Sequence, residues 1–383
     1  LMNFTGESLD FAVESETSKQ IRADRGTSDL VLTGAQSSGG INFEFQFKEY
    51  DEILAALMQN TWTHYGTLGV SAAIPSLTFA AQTVTAGAAP TGNDAFTTLQ
   101  KGQWFGIEPP AGATQAVIDY CSGRLWRVST TIAPTATVIT TDASTPINTT
   151  ILSAAMVSGF ITSAPIVNGT TMKSYTLEVG HVDIGQYRQY AGQIPSKMSL
   201  KIGDKGIITG SFDFMGKSMV LAQASLFTAP AAANTYTPAN STKGIFDIVE
   251  NGTLVSGTTY IKSLDFNYDN GLRAQTAAGV FGAAGVAAGT ISVTGSMEVY
   301  FADAGFYNRF LNNTATSICI PVVDPLGNGY VICLPRMKYK SAKVNAGGLD
   351  QDNTLKLDFQ GLIDTAVGSP TLGSMITIYR CGV

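Results

Sequence analysis

The sequence predicts a mainly β protein of two tandem β-sandwich units, each of two packed antiparallel sheets with a short α-helix, and a small β-barrel domain inserted into the first. Three observations carry this. Apolar and polar residues alternate with period two along much of the chain, the same blocks recur in the same order in both halves, and the two copies differ by one long insertion.

The clearest strand is Ile41, Phe43, Phe45 and Phe47 with Asn42, Glu44, Gln46 and Lys48 between them, which presents one apolar and one polar face. Similar runs mark 175–179, 197–202, 207–215, 291–301, 330–334 and 354–359 as strands. Helical spacing follows a strand twice: Ile53, Leu54, Leu57 and Met58 share one stripe, and Phe306, Tyr307, Phe310 and Leu311 repeat it. Both stripes should pack behind the sheets.

Ser8-Leu9-Asp10-Phe11 recurs as Ser263-Leu264-Asp265-Phe266, Ile21-Arg22-Ala23 as Leu272-Arg273-Ala274, and Phe43-Glu44-Phe45 as Met297-Glu298-Val299. The helices come next in both copies. Lys197-Met198-Ser199-Leu200 then leads to Asp213-Phe214-Met215-Gly216, as Lys343-Val344 leads to Asp358-Phe359-Gln360-Gly361. Five blocks in one order read as a tandem duplication. The first unit is 1–62 plus 175–217, the insert 63–174, an Ala/Thr/Pro/Asn-rich linker 218–245, and the second unit 246–383. The insert is too long for a structureless loop and should be a domain. Its strands are read at 76–79, 103–107, 124–128 and 137–139, with Trp104 and Trp126 anchoring its core.

Charged residues make up 14% of the chain and the net charge is -6, which lacks the basic footprint of a phosphate-gripping protein. So little charge suits a surface partly hidden by neighbours. Four cysteines, with no C-x-x-C, and two histidines, His64 and His181, form neither a disulfide framework nor a zinc site; the cysteines are expected as buried free thiols. Gly210 to Lys217-Ser218 is a near miss for a phosphate loop, but its interior alternates as a strand. Neither histidine has a G-x-S-x-G partner, His181 lies in a glycine-flanked turn, and nothing singles out a carboxylate pair, so no catalytic residue and no metal site is assigned. The charge-free stretch 274–297 is broken by glycines and lacks the large aliphatics of a membrane helix.

The order strand, Arg-bearing loop, strand, short helix, then Leu334-Pro335-Arg336 and a closing Leu357-Asp358-Phe359-Gln360-Gly361 resembles the major tail tube protein of long non-contractile-tailed (siphovirus) bacteriophages. The match is closest over Ser263 to Asp364, through Gly295-Ser296-Met297-Glu298-Val299-Tyr300-Phe301, Phe310-Leu311-Asn312-Asn313 and Asp350-Gln351-Asp352; the first copy matches over 7–62 and 175–217. The resemblance implies a structural virion protein whose units close in sixes into rings that stack into a tube. Because this chain carries two units, three chains should make one pseudo-hexameric ring, with six chains as the alternative. It implies as partners further copies of the chain, the tape measure protein in the lumen during assembly, and tail terminator and tail-tip proteins. Double-stranded DNA would pass without specific binding, with no cofactor and no membrane, and the tube would be built in the host cytoplasm.

With four strands per unit, 24 strands spaced about 4.8 Å and tilted near 45° close at a radius of about 26 Å. The bore, near 40 Å, admits duplex DNA, whose grooves are only ~8 Å deep. A conduit must not hold DNA, so its lining is expected to be polar and acidic. Asp10 with Asp265, Glu44 with Glu298, and Asp213 with Asp358 are the lumen candidates. Ring stacking is expected of the loops 21–39 and 272–289, through Arg22, Asp24, Arg25, Asp29 and Arg273. The insert is expected outside the tube. A secreted β adhesin or surface-layer protein shares the low charge and Thr/Gly richness and is the main alternative; a tail-associated glycan hydrolase is a third.

Overall fold

The computed structural model describes every residue except 64–73, 91–94, 110–111, 122–123, 153–155, 243–247, 258, 325–327, 368, 370 and 383, so His64 lies outside the described residues. The first half opens with β1 (Gly6–Glu7), β2 (Asp10–Thr17), β3 (Leu30–Glu44) and α1 (Asp51–Leu57). The insert holds β4 (Ile74–Ala80), β5 (Thr83–Ala86), β6 (Trp104–Glu108), α2 (Gln115–Cys121), β7 (Leu125–Arg127), β8 (Val138–Thr140) and β9 (Met156–Val167). The first half then resumes with β10 (Tyr175–His181), β11 (Gln186–Ile202), β12 (Thr209–Gly216) and β13 (Ser218–Ala222). The second half runs β14 (Val249–Glu250), β15 (Thr253–Leu254), β16 (Ile261–Asp269), β17 (Arg273–Gln275), β18 (Gly285–Ala287), β19 (Ser292–Tyr300), α3 (Gly305–Leu311), β20 (Thr316–Val323), β21 (Gly329–Asn345), β22 (Thr354–Gly361) and β23 (Thr377–Cys381). The protein is mainly β, as the alternation predicts, and its sheets are antiparallel.

Eight strands form one continuous ladder in the order β2-β3-β12-β11-β16-β19-β22-β21. Its two groups of four are wired alike, and the seam between β11 and β16 joins them, from Lys197 opposite Asp269 to Ile202 opposite Leu264. Alternation explains its two faces: Phe43, Phe212, Leu200, Phe266, Met297 and Leu357 are buried in one core that spans both halves. Phe43 stacks on Phe212 with ring centroids 4.7 Å apart.

The 17-residue strands β11 and β21 each serve two sheets. Residues 186–191 of β11 leave the ladder to pair with β10 and β13, and 329–337 of β21 pair with β20, the first five of them also with β23. Strands that change sheets do so at bends and bulges. Gly192 supplies the bend in β11 with φ of +68°. The registers then shift between Pro195 and Lys197 in β11 and between Tyr339 and Ser341 in β21. Beside each bulge a phenylalanine faces a glycine: Phe214 opposite Gly39, and Phe359 opposite Gly295.

Counting out from these bulges sets Asp213 against Asp358, but Glu44 against Tyr300, Glu298 against Asn42, and Asp10 against Asn267. The correspondences of Glu44 with Glu298 and Asp10 with Asp265 therefore slip by two residues. A slip of two preserves a period-two pattern and leaves each side chain on its face.

Ile53 to Leu57 of α1 are all buried, whereas α3 buries only Phe306 and leaves Leu311 60% exposed. The helix α1 is also fastened to the other half. Asp51 pairs with Arg380 of β23, Tyr330 of β21 donates to Asp51 Oδ1 at 2.5 Å, and the Lys48 N–H donates to the Tyr330 hydroxyl at 3.0 Å.

The insert differs from expectation. Its strands form a curled sheet in the order β7-β6-β9-β4-β5-β8, with β5, β9 and α2 beyond the elements read from sequence. Among the described residues the outer strands meet at a single bridge, Val128 with Thr141, so the sheet is not a closed barrel. The strands β7 and β8 are three residues each and ladder with β6 and β5 respectively. Trp126 enters the insert core beside Phe105, but Trp104, one residue along β6, points to the opposite face and packs with Val331 and Tyr379 of the second half. Residues 163–167 of β9 pair with all of β23, extending the second half's outer layer.

Three further expectations are corrected. Cys319 and Cys333 face each other across β20 and β21 and are joined as a disulfide, while Cys121 and Cys381 are free and buried. Residues 30–39 belong to β3, so the first loop spans only 18–29, and 272–289 contains the β17–β18 hairpin. Ser218–Ala222 is a strand of the outer layer rather than linker.

Candidate functional site

The ladder's second face is the candidate site. Residues directly opposite on neighbouring antiparallel strands project to the same side. Asp10 lies opposite Ser38, Glu44 opposite Thr209, Asp213 between Gly40 and Lys197, and Asp265 between Lys201 and Ser296. Glu298 lies between Ser263 and Lys356, and Asp358 between Ser296 and Ser341. All six acids thus share the face turned away from the core.

Lysines are in register with them. Lys197 Nζ is 3.0 Å from Asp269 Oδ2, and Lys262 Nζ is 4.0 Å from Glu298 Oε1. Hydroxyls fill the gaps: Ser341 donates to Asp358 at 2.5 Å, Ser296 to Asp265 at 3.5 Å, and the Ser199 and Ser211 hydroxyls lie 2.8 Å apart. The face is polar with alternating charge, not uniformly acidic. Desolvation by the surrounding sheet raises the pKa of Asp213 above its ordinary value; the Lys197 ammonium pulls it down and Asp269 adds to the rise.

The ladder ends in two edges. Along 338–345, β21 pairs only with β22, and β2 pairs only with β3, among the described residues. Just before β2 the Leu9 N–H donates to Glu7 Oε2 at 2.9 Å, and on β2 the Phe11 N–H donates to Asp10 Oδ1 at 2.8 Å.

Of the stacking candidates, Arg22, Asp24 and Asp29 are engaged locally. Arg22 grips Asp24 with Nη2 to Oδ2 at 2.7 Å, a bond that, helped by the Gly26 N–H, holds the Asp24 carboxyl below its usual range. Asp29 Oδ1 accepts the Leu30 N–H at 2.8 Å, Arg25 takes a left-handed turn, and Arg273 is exposed on β17. What the sequence reading missed is apolar: Val13, Leu30, Val31 and Leu32 are 48–59% exposed on the projecting β2–β3 hairpin. The run Leu30-Val31-Leu32 was the available signal, and clustered exposed aliphatics mark contact surfaces.

A cleft of about 170 Å³ at the 202–204 turn is smaller than ordinary ligand pockets of roughly 300–1,000 Å³. His181 ends β10 beside the turn that Gly185 closes, and the Gly210–Gly216 stretch is strand, as its alternation predicts.

No curated protein matches the chain closely enough to count as a relative. A family model described as phage tail tube protein matches residues 4–361, nearly the whole chain. With a sheet that is polar on one face and carries two open edges, the chain belongs to the phage tail tube protein family, a structural component of the virion tail.

Proposed function

We propose that three copies of this chain join edge to edge into a ring, that rings stack into the tube of a long non-contractile tail, and that the polar face lines the bore through which double-stranded DNA enters the host. The ladder carries the reading. Its middle seam joins the last strand of one four-stranded group to the first of the next, and its two free ends are strands of those same two kinds, β21 and β2. The like wiring, the paired bulges and the matching Phe–Gly pairs support a tandem duplication with the inserted segment as its one large addition.

Three such ladders give 24 strands and a bore near 40 Å on the geometry above. Closure pairs every edge and turns an aggregation hazard into limited assembly. A face whose lysines already meet carboxylates gains little by contacting phosphate, so DNA slides rather than binds. The insert, on the layer opposite that face, stays outside the tube. The β2–β3 hairpin, with Leu30 and Leu32, contacts the neighbouring ring. Tape measure protein fills the bore during assembly in the host cytoplasm, and terminator and tip proteins cap the ends.

Negative-stain microscopy of the purified chain tests this. Rings or tubes of uniform bore are expected; dispersed particles overturn the reading.

A further inference from the structure

Resting on the tube reading, we propose that the seam between chains has one register, in which Lys343 of one copy stands opposite Asp10 of the next.

The intrachain seam is the template. It sets Met198 opposite Tyr268, Ser199 opposite Asn267 and Leu200 opposite Phe266. Counted from the bulges, Ala342, Lys343 and Val344 correspond to Met198, Ser199 and Leu200, while Phe11, Asp10 and Leu9 correspond to Tyr268, Asn267 and Phe266. Carrying the template across therefore places Ala342 opposite Phe11, Lys343 opposite Asp10, and Val344, which is 40% exposed, opposite Leu9.

Charge agrees with this register and opposes its neighbours. At the intrachain seam two charged pairs, Lys197 with Asp269 and Lys201 with Asp265, flank the neutral Ser199–Asn267 pair. At the seam between chains the order inverts: Lys343–Asp10 is charged, flanked by Ser341–Ala12 and Asn345–Ser8. A slip of two residues leaves Lys343 facing Ser8 or Ala12, and a slip of one turns Val344 to the polar face. The docking also exchanges one contact for another. In the free chain Asp10 Oδ1 accepts the Phe11 N–H at 2.8 Å, which covers the edge; in the ring its carboxylate turns to the lysine and that N–H joins the ladder.

Cysteine pairs in the full chain test the register, because the free cysteines Cys121 and Cys381 are buried out of reach. Under mild oxidation of assembled protein, D10C/K343C should link chain to chain in a series that ends at three, whereas A12C/K343C and S8C/K343C should link at least tenfold less. Preferential linking of a shifted pair overturns the proposal, and so does failure of D10C/K343C to link in tubes visible by microscopy. A charge exchange adds a second readout: K343D slows assembly about tenfold and D10K with K343D restores it. No rescue in a double variant that remains folded also overturns the pair. Failure of the unaltered chain to form rings overturns the tube reading instead.

Discussion

Phe359 occupies the space that Gly295 leaves open: a Cβ on Gly295 would overlap the Phe359 ring and the Asp265 carbonyl. Gly39 likewise faces Phe214 and abuts the Ser8 carbonyl, so a side chain at either glycine meets backbone that cannot retreat. Gly295→Ala is expected to destabilise the chain by about 2 kcal/mol, the scale of overpacking in a filled core. Gly6→Ala, whose Cβ would meet only Asn42 at 3.6 Å, is the control and should be near neutral. Urea unfolding of the two variants checks it.

Asp51 ties α1 to the second half. Its side chain is 13% exposed and that of Arg380 14%, so Asp51→Ala leaves a nearly buried guanidinium unpaired. A loss of about 3 kcal/mol is expected. Tyr330→Phe removes the hydroxyl's two hydrogen bonds, to Asp51 and from the Lys48 N–H, but strands no charge and should cost less, about 1–2 kcal/mol. Denaturant midpoints separate the two.

Asp364 predicts a specific acid response. Burial pushes its carboxyl upward, but hydrogen bonds from Ser369, the Ala366 N–H and Thr371 outweigh it and hold the pKa below the ordinary 3.8. Because the folded value is depressed, this stabilisation is complete above 3.8 and is lost as pH falls through the lower folded value. Asp364→Asn should destabilise at pH 6, and the gap to the unaltered chain should narrow at pH 3. A constant gap would show that the charge is not the cause.

Glu44 and Glu298 lie on the polar face away from the proposed seams. Replacing both by lysine adds phosphate-binding sites to the bore without touching the core. Tubes should assemble with normal diameter while DNA delivery falls, measured as infectivity per assembled tail. Unchanged infectivity would remove these residues from the lining.

Leu30 and Leu32 are each 59% exposed on the hairpin. Leu30→Asp with Leu32→Asp should leave rings intact and block their stacking, since burying two carboxylates between rings is costly. Microscopy distinguishes single rings from tubes.

Much of the fold was legible because alternation is local. Ile41-Asn42-Phe43 states which side of β3 is buried whatever it packs against, and the polar face with its six acids follows from the same parity. Its lysines were equally visible in the chain, but their register with the acids was not. Register depends on bulges such as those beside Lys197 and Ser341, which composition does not announce.

By itself the sequence determined strand character, the face each side chain takes and the recurrence of blocks, because backbone sterics and period two act between neighbours. Tertiary structure decided what meets across the chain: β11 beside β16, β9 beside β23, Trp104 against Val331 and Tyr379 rather than in the insert core, and Cys319 bonded to Cys333. Each of these contacts depends on which strand edges find one another, and that choice is made by packing and loop closure over long separations rather than by any single segment.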